Sequence, residues 1–101
     1  MNTSILIAAD KAVTPVERKA FLGHFPRQQG AHVADILDML DNSDAYLEVV
    51  EPMYEMHGDE VSEPGLLRIA TLLRVGILGN TDNVTWEAVQ ELVGRIRAQL
   101  K

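Results

Sequence analysis

The chain reads as all-α: a compact bundle of five or six short helices around a central buried helix near residues 65–78. Three observations point there. Val33, Ile36, Leu37 and Leu40 recur at i, i+3, i+4 and i+7, which is one buried helix face. Thr14-Pro15-Val16-Glu17 has the chemistry of a helix start, with a capping hydroxyl, a proline at the first helical position and a carboxylate three residues on. From Leu66 to Leu78 only Arg68, Thr71 and Arg74 are polar, so a helix there needs neighbours on most of its circumference. No segment shows sustained alternation with period two, and helix-on-helix packing is the expected architecture.

In chain order, Ile5, Ala8, Ala9, Ala12 and Val13 fall at helical spacing, with Asn2, Thr3 or Ser4 as the cap, and a strand is the rival because Ile5-Leu6-Ile7 alone does not decide the period. A second helix starts at Thr14 and fades at Gly23, because Phe25-Pro26 cannot continue it. The third follows Gly30 and carries Asp35 and Asp38 opposite its apolar face. Asp41-Asn42-Ser43-Asp44 is a turn. The fourth helix buries Tyr46, Leu47, Val50, Met53 and Tyr54, with Pro52 either kinking it or starting a new one, and Gly58 ends it. Ser62-Glu63-Pro64 is expected to cap and start the central helix, and Gly79-Asn80 to stop it. Thr85 caps the last helix. There Trp86, Val89, Val93, Ile96 and Leu100 form the inner stripe, with Leu92 widening it, and Glu87, Glu91 and Arg95 the outer face.

At 101 residues, 47% of them apolar, the chain is expected to be one helical domain over 1–101 with a real core and no staples. It has no cysteine, which excludes disulfides, thiolate metal sites and cysteine nucleophiles. No signal-like start and no apolar run free of charge is present, so the reading is a cytoplasmic protein without a membrane span.

Charge is what varies sharply. Between Arg27 and Arg68 stand ten acids and no Lys or Arg: Asp35, Asp38, Asp41, Asp44, Glu48, Glu51, Glu55, Asp59, Glu60 and Glu63. The other five acids share the flanks with all nine cations, so a middle of about −10 meets flanks of about +4 within a formal net charge of −6. A single-sign field of this kind attracts cationic partners and repels nucleic acid. Glu48, Glu51 and Glu55 form a stripe about 60° wide on the fourth helix. The bland alternatives are that these acids only solvate a surface, or that Arg68 and Arg74 lie against them and neutralise part of the field.

Other chemistries find little purchase. His24, His32 and His57 fall near helix ends without metal-ligand spacing, Asp41 to Pro52 fails as a calcium loop, and Ser4, Ser43 and Ser62 lie outside any nucleophile motif. Arg95, Arg97 and Lys101, with Lys11, Arg18 and Lys19, would make a modest positive patch if the chain ends met, but a pI near 4.9 argues against direct nucleic-acid binding.

The expected function is a non-enzymatic interaction or regulatory module, an adaptor or an inhibitor, that needs no cofactor and meets a protein with a basic surface. Its expected contacts are Asp35, Asp38, Glu48, Glu51 and Glu55, with Tyr46 and Tyr54 as aromatic anchors if exposed. The alternatives are a small metal-dependent helical hydrolase using Glu48, Glu51 and His57, and an acidic mimic of nucleic acid. The Trp86 stripe also admits a homodimer.

Overall fold

A computed structural model describes residues 3–28 and 30–101, and among them the regular structure is entirely helical. Six α-helices follow one another: α1 (Thr3–Ala12), α2 (Pro15–Gly23), α3 (Val33–Asp41), α4 (Leu47–His57), α5 (Leu66–Leu78) and α6 (Trp86–Gln99). Two 3₁₀ turns, Pro26–Gln28 and Gly58–Glu60, trail α2 and α4. Asn2, one of the expected caps of α1, lies outside the described residues.

α5 is the hub, and all five other helices pack on it. Leu66, Leu67, Ile69, Ala70, Leu72, Leu73 and Val75 are all buried there, each large side chain contributing roughly 2 kcal/mol through apolar burial. Thr71 is buried too, and its hydroxyl donates to the Leu67 carbonyl at 2.8 Å, which removes the cost of enclosing it. α1 also packs on α6 and α3, closing the bundle on one side. The Cα radius of gyration is 12.2 Å, against about 13 Å for a folded chain of this length.

Two helix starts, those of α2 and α6, carry a side-chain cap, whereas α4, preceded by Tyr46, and α5, preceded by Gly65, start without one. Thr14 accepts from the Glu17 amide at 3.1 Å and Glu17 accepts from the Thr14 amide at 2.9 Å, a complete capping box with Pro15 at the first helical position. Thr85 accepts from the Ala88 amide at 3.2 Å. Ser62, by contrast, does not cap α5. Pro64-Gly65 instead forms a tight turn closed by the Leu66 amide donating to the Glu63 carbonyl at 3.2 Å. Gly65 at φ 79° takes the left-handed position that a type II turn demands after proline, so the helix begins at Leu66.

Pro52 neither breaks nor restarts α4, which runs through it. The amide it lacks would have met the Glu48 carbonyl on the outward side, where water can serve instead. α4 is the peripheral helix. It rests chiefly on α5, and Val50 is its one fully buried residue among the described ones. Among the described residues no helix is long and apolar enough to cross a membrane.

Candidate functional site

Helical geometry decides what α4 shows to the outside. Val50 faces the core with Leu47, Val49 and Met53 half-buried around it. Glu48, Glu51 and Glu55 project from the opposite side within about 60° of arc, and all three are exposed. Among the described residues none of the three meets a cation. Glu48 accepts a long hydrogen bond from the Thr81 hydroxyl at 3.4 Å. Glu48 lies in the first turn, where the positive end of the helix dipole favours it. Beside the stripe stand Tyr54 and Met56, 43% and 73% exposed. Tyr46 is half-buried against the core, so it supports α4 from below and leaves Tyr54 as the accessible aromatic ring.

Asp35 and Asp38 occupy a different place. They lie on α3, which packs on α1, α2 and α5, whereas α4 packs on α5 and the turn that follows it. Asp35 accepts from the His32 amide at 3.2 Å, and Asp38 from the Asn42 side-chain amide at 3.3 Å. Both line a groove of about 260 Å³ between α1 and α3, together with Thr3, Leu6, Ile7 and Ala34. The five expected acidic contacts thus divide between two surfaces.

Arginines neutralise two of the ten middle acids, and His57 contacts a third. Arg68 donates through Nε to Asp41 at 2.6 Å and through its terminal nitrogen to the Asp41 and Ser43 carbonyls, tying the α3–α4 corner to α5. Arg97 forks onto Glu63 at 2.7 and 2.9 Å, and this pairing holds the Glu63 carboxyl below its usual range. His57 lies 2.6 Å from Glu60. Among the described residues Arg74 reaches no carboxylate; it donates to the Ala88 carbonyl at 3.3 Å. The other seven middle acids carry no ion pair among the described residues.

Arg95 departs from expectation. The α6 stripe predicts it on the outer face with Glu87 and Glu91, yet it is half-buried. It donates to both Glu17 oxygens, one at 3.1 Å, and to the Ala12 carbonyl, while Glu91 lies 3.5 Å away on its other side. Hydrogen bonding to Arg95 is the main reason that Glu17 titrates at about 2. Arg18 likewise pairs with the Asp10 side chain and carbonyl. Arg95 of the C-terminal cluster does reach the end of α1 and the start of α2, but its guanidinium is spent on Glu17, that of Arg18 on Asp10 and that of Arg97 on Glu63.

The residues of the hydrolase alternative are not gathered. Nine positions separate Glu48 from His57, which puts them on opposite sides of α4. The His57 ring stacks on Trp86 at 3.9 Å between centroids and 4° between planes, pinning the end of α4 to the start of α6. Among the described residues no three His, Asp or Glu side chains are grouped to hold a metal ion.

Compared with known proteins, the chain matches no family model, no curated protein and no solved structure.

Proposed function

We propose that this protein is a non-enzymatic interaction module, an adaptor or inhibitor, whose α4 docks a protein with a basic surface. The observation that supports this is the exposed row of Glu48, Glu51 and Glu55, one helical turn apart and, among the described residues, without a cation of their own. Internal pairing has been applied to neighbouring acids, Asp41 and Glu63, and not to these. The mechanism is occupancy. The negative field steers a cationic surface toward α4 and raises the encounter rate, and Tyr54 and Met56 then lose their water against the partner.

The test is charge reversal. The triple variant Glu48→Lys, Glu51→Lys, Glu55→Lys should keep its helical circular dichroism and lose a partner captured from lysate and identified by mass spectrometry. Capture by the unaltered chain should also weaken between 0.05 and 0.5 M salt, since exposed charges are screened within about 10 Å at 0.1 M. Equal capture by the variant and the original chain would end the proposal.

A further inference from the structure

We infer that the groove between α1 and α3 is an anchoring site for a short amphipathic protein segment that carries an aliphatic side chain flanked by Lys or Arg. The inference extends the proposed interaction role by naming the chemistry of the partner and a second surface that receives it.

The groove has two unlike walls. On α1, Leu6 and Ile7 give an apolar wall, and Ile7 is 49% exposed although its neighbours Leu6 and Ala8 are buried. On α3, Ala34 is small enough to leave space open, and Asp35 and Asp38 stand over that space three residues apart. Side chains at that spacing lie about 5–6 Å from each other, close enough for one ammonium or guanidinium group to meet both. Each carboxylate already holds one hydrogen bond from its own helix, to the His32 amide or the Asn42 amide. Those bonds fix its direction and leave further lone pairs open. Among the described residues neither carboxylate has an ion pair.

Size and charge select the occupant. At about 260 Å³ the groove falls below the roughly 300–1,000 Å³ typical of small-molecule sites, and it suits one or two side chains. Its rim has one sign, so an apolar side chain with neighbouring cations matches it on both walls, as in helix-in-groove recognition. A second copy of the chain brings a net charge of −6 to the same rim and is disfavoured.

The experiment is a titration of the full ¹⁵N-labelled chain with a capped 14-residue helical peptide of Leu and Lys, followed by amide shifts. Two control peptides replace every Leu by Ser or every Lys by Glu. Saturable shifts at Thr3–Ile7 and Ala34–Asp38 are expected. Affinity should fall at least tenfold with either control peptide, with Asp35→Asn/Asp38→Asn, and with Ile7→Ser. Both variants change exposed groups, Asp35→Asn retains an oxygen that accepts from the His32 amide, and a native amide spectrum verifies their fold.

Equal binding of the Ser peptide would reduce the interaction to charge alone and overturn the inference, as would shifts centred on Glu48–Glu55. Shifts of the groove amides with protein concentration alone would assign the groove to a second copy and overturn it too. The α4 triple variant separates the two proposals. It should leave the groove titration unchanged, and a failed groove titration beside an intact effect of that variant on partner capture would remove the groove alone.

Discussion

Glutamates in two parts of this molecule do opposite work. Where α1, α2 and α6 meet, Glu17 grips Arg95 across 78 residues of sequence, and Asp10 holds Arg18 from the neighbouring helix. On α4, Glu48, Glu51 and Glu55 stand in water without a cation. The first set joins segments of the chain and is half-buried, so its charge is consumed inside the fold. The second set joins nothing, so its field is available outside. Carboxylate content therefore says little about stability until each partner is known, because a paired, partly desolvated carboxylate supports the fold and an exposed one hardly registers.

The contrast is broken most severely by moving α2. A Cβ on Gly76 would sit 2.2 Å from Cε2 of the fully buried Phe21, so Gly76→Ala must push α2 away from α5. We expect a loss of about 3 kcal/mol, or roughly 15 °C in the thermal midpoint by circular dichroism. An unchanged midpoint would mean that the α2–α5 contact is looser than described.

Next in size is Glu17→Gln. It removes the charge from the bonds with Arg95 while keeping an acceptor for the Thr14 amide, and should cost about 2 kcal/mol in urea unfolding. The sign with pH follows from the depressed pKa. Glu17 titrates at about 2 in the folded chain against 4.5 as a free group, so its contribution is complete above pH 4.5 and disappears as pH falls toward 2. The urea midpoint of Glu17→Gln should be flatter over that window than that of the unaltered chain. Parallel curves would show that Glu17 and Arg95 do not interact in solution.

Two smaller effects run in the stabilising direction. Gly94 lies on the exposed side of α6 with nothing within 4 Å of an added Cβ, so Gly94→Ala should gain about 0.5–1 kcal/mol from helix propensity, the reverse of the same change at Gly76. Glu51→Gln/Glu55→Gln relieves like charges one turn apart and should gain about 0.3 kcal/mol, within reach of careful denaturant titration. A loss above about 1 kcal/mol from that pair would reveal an internal role for the α4 stripe and weaken its assignment to a partner.

Local rules made much of the helical plan readable. Thr14 with Pro15 and Glu17, Thr85 before Trp86, and Gly79 at φ 80° are start and stop signals that act over three or four residues, and they lie where expected. The apolar run after Gly65 announced the buried α5, and the period of α4 placed its three glutamates outward. Ser62 misled because a Pro-Gly turn competed for the same stretch. Arg95 misled because a helical wheel cannot show that a long side chain folds back to a neighbouring helix. The groove beside Asp35 and Asp38 was invisible because its other wall, Leu6 and Ile7, comes from a helix about thirty residues away in sequence.

By itself, then, the amino-acid order determined which segments coil, which face of each turns inward, and that the middle of the chain is anionic. Those properties arise from interactions between residues at most a few positions apart. Which carboxylates are left to face outward unpaired was decided only when α6 brought Arg95 to Glu17 and Arg97 to Glu63, and α5 brought Arg68 to Asp41. Ion pairing depends on distances of a few ångströms between residues remote in the chain, and packing of the core sets those distances.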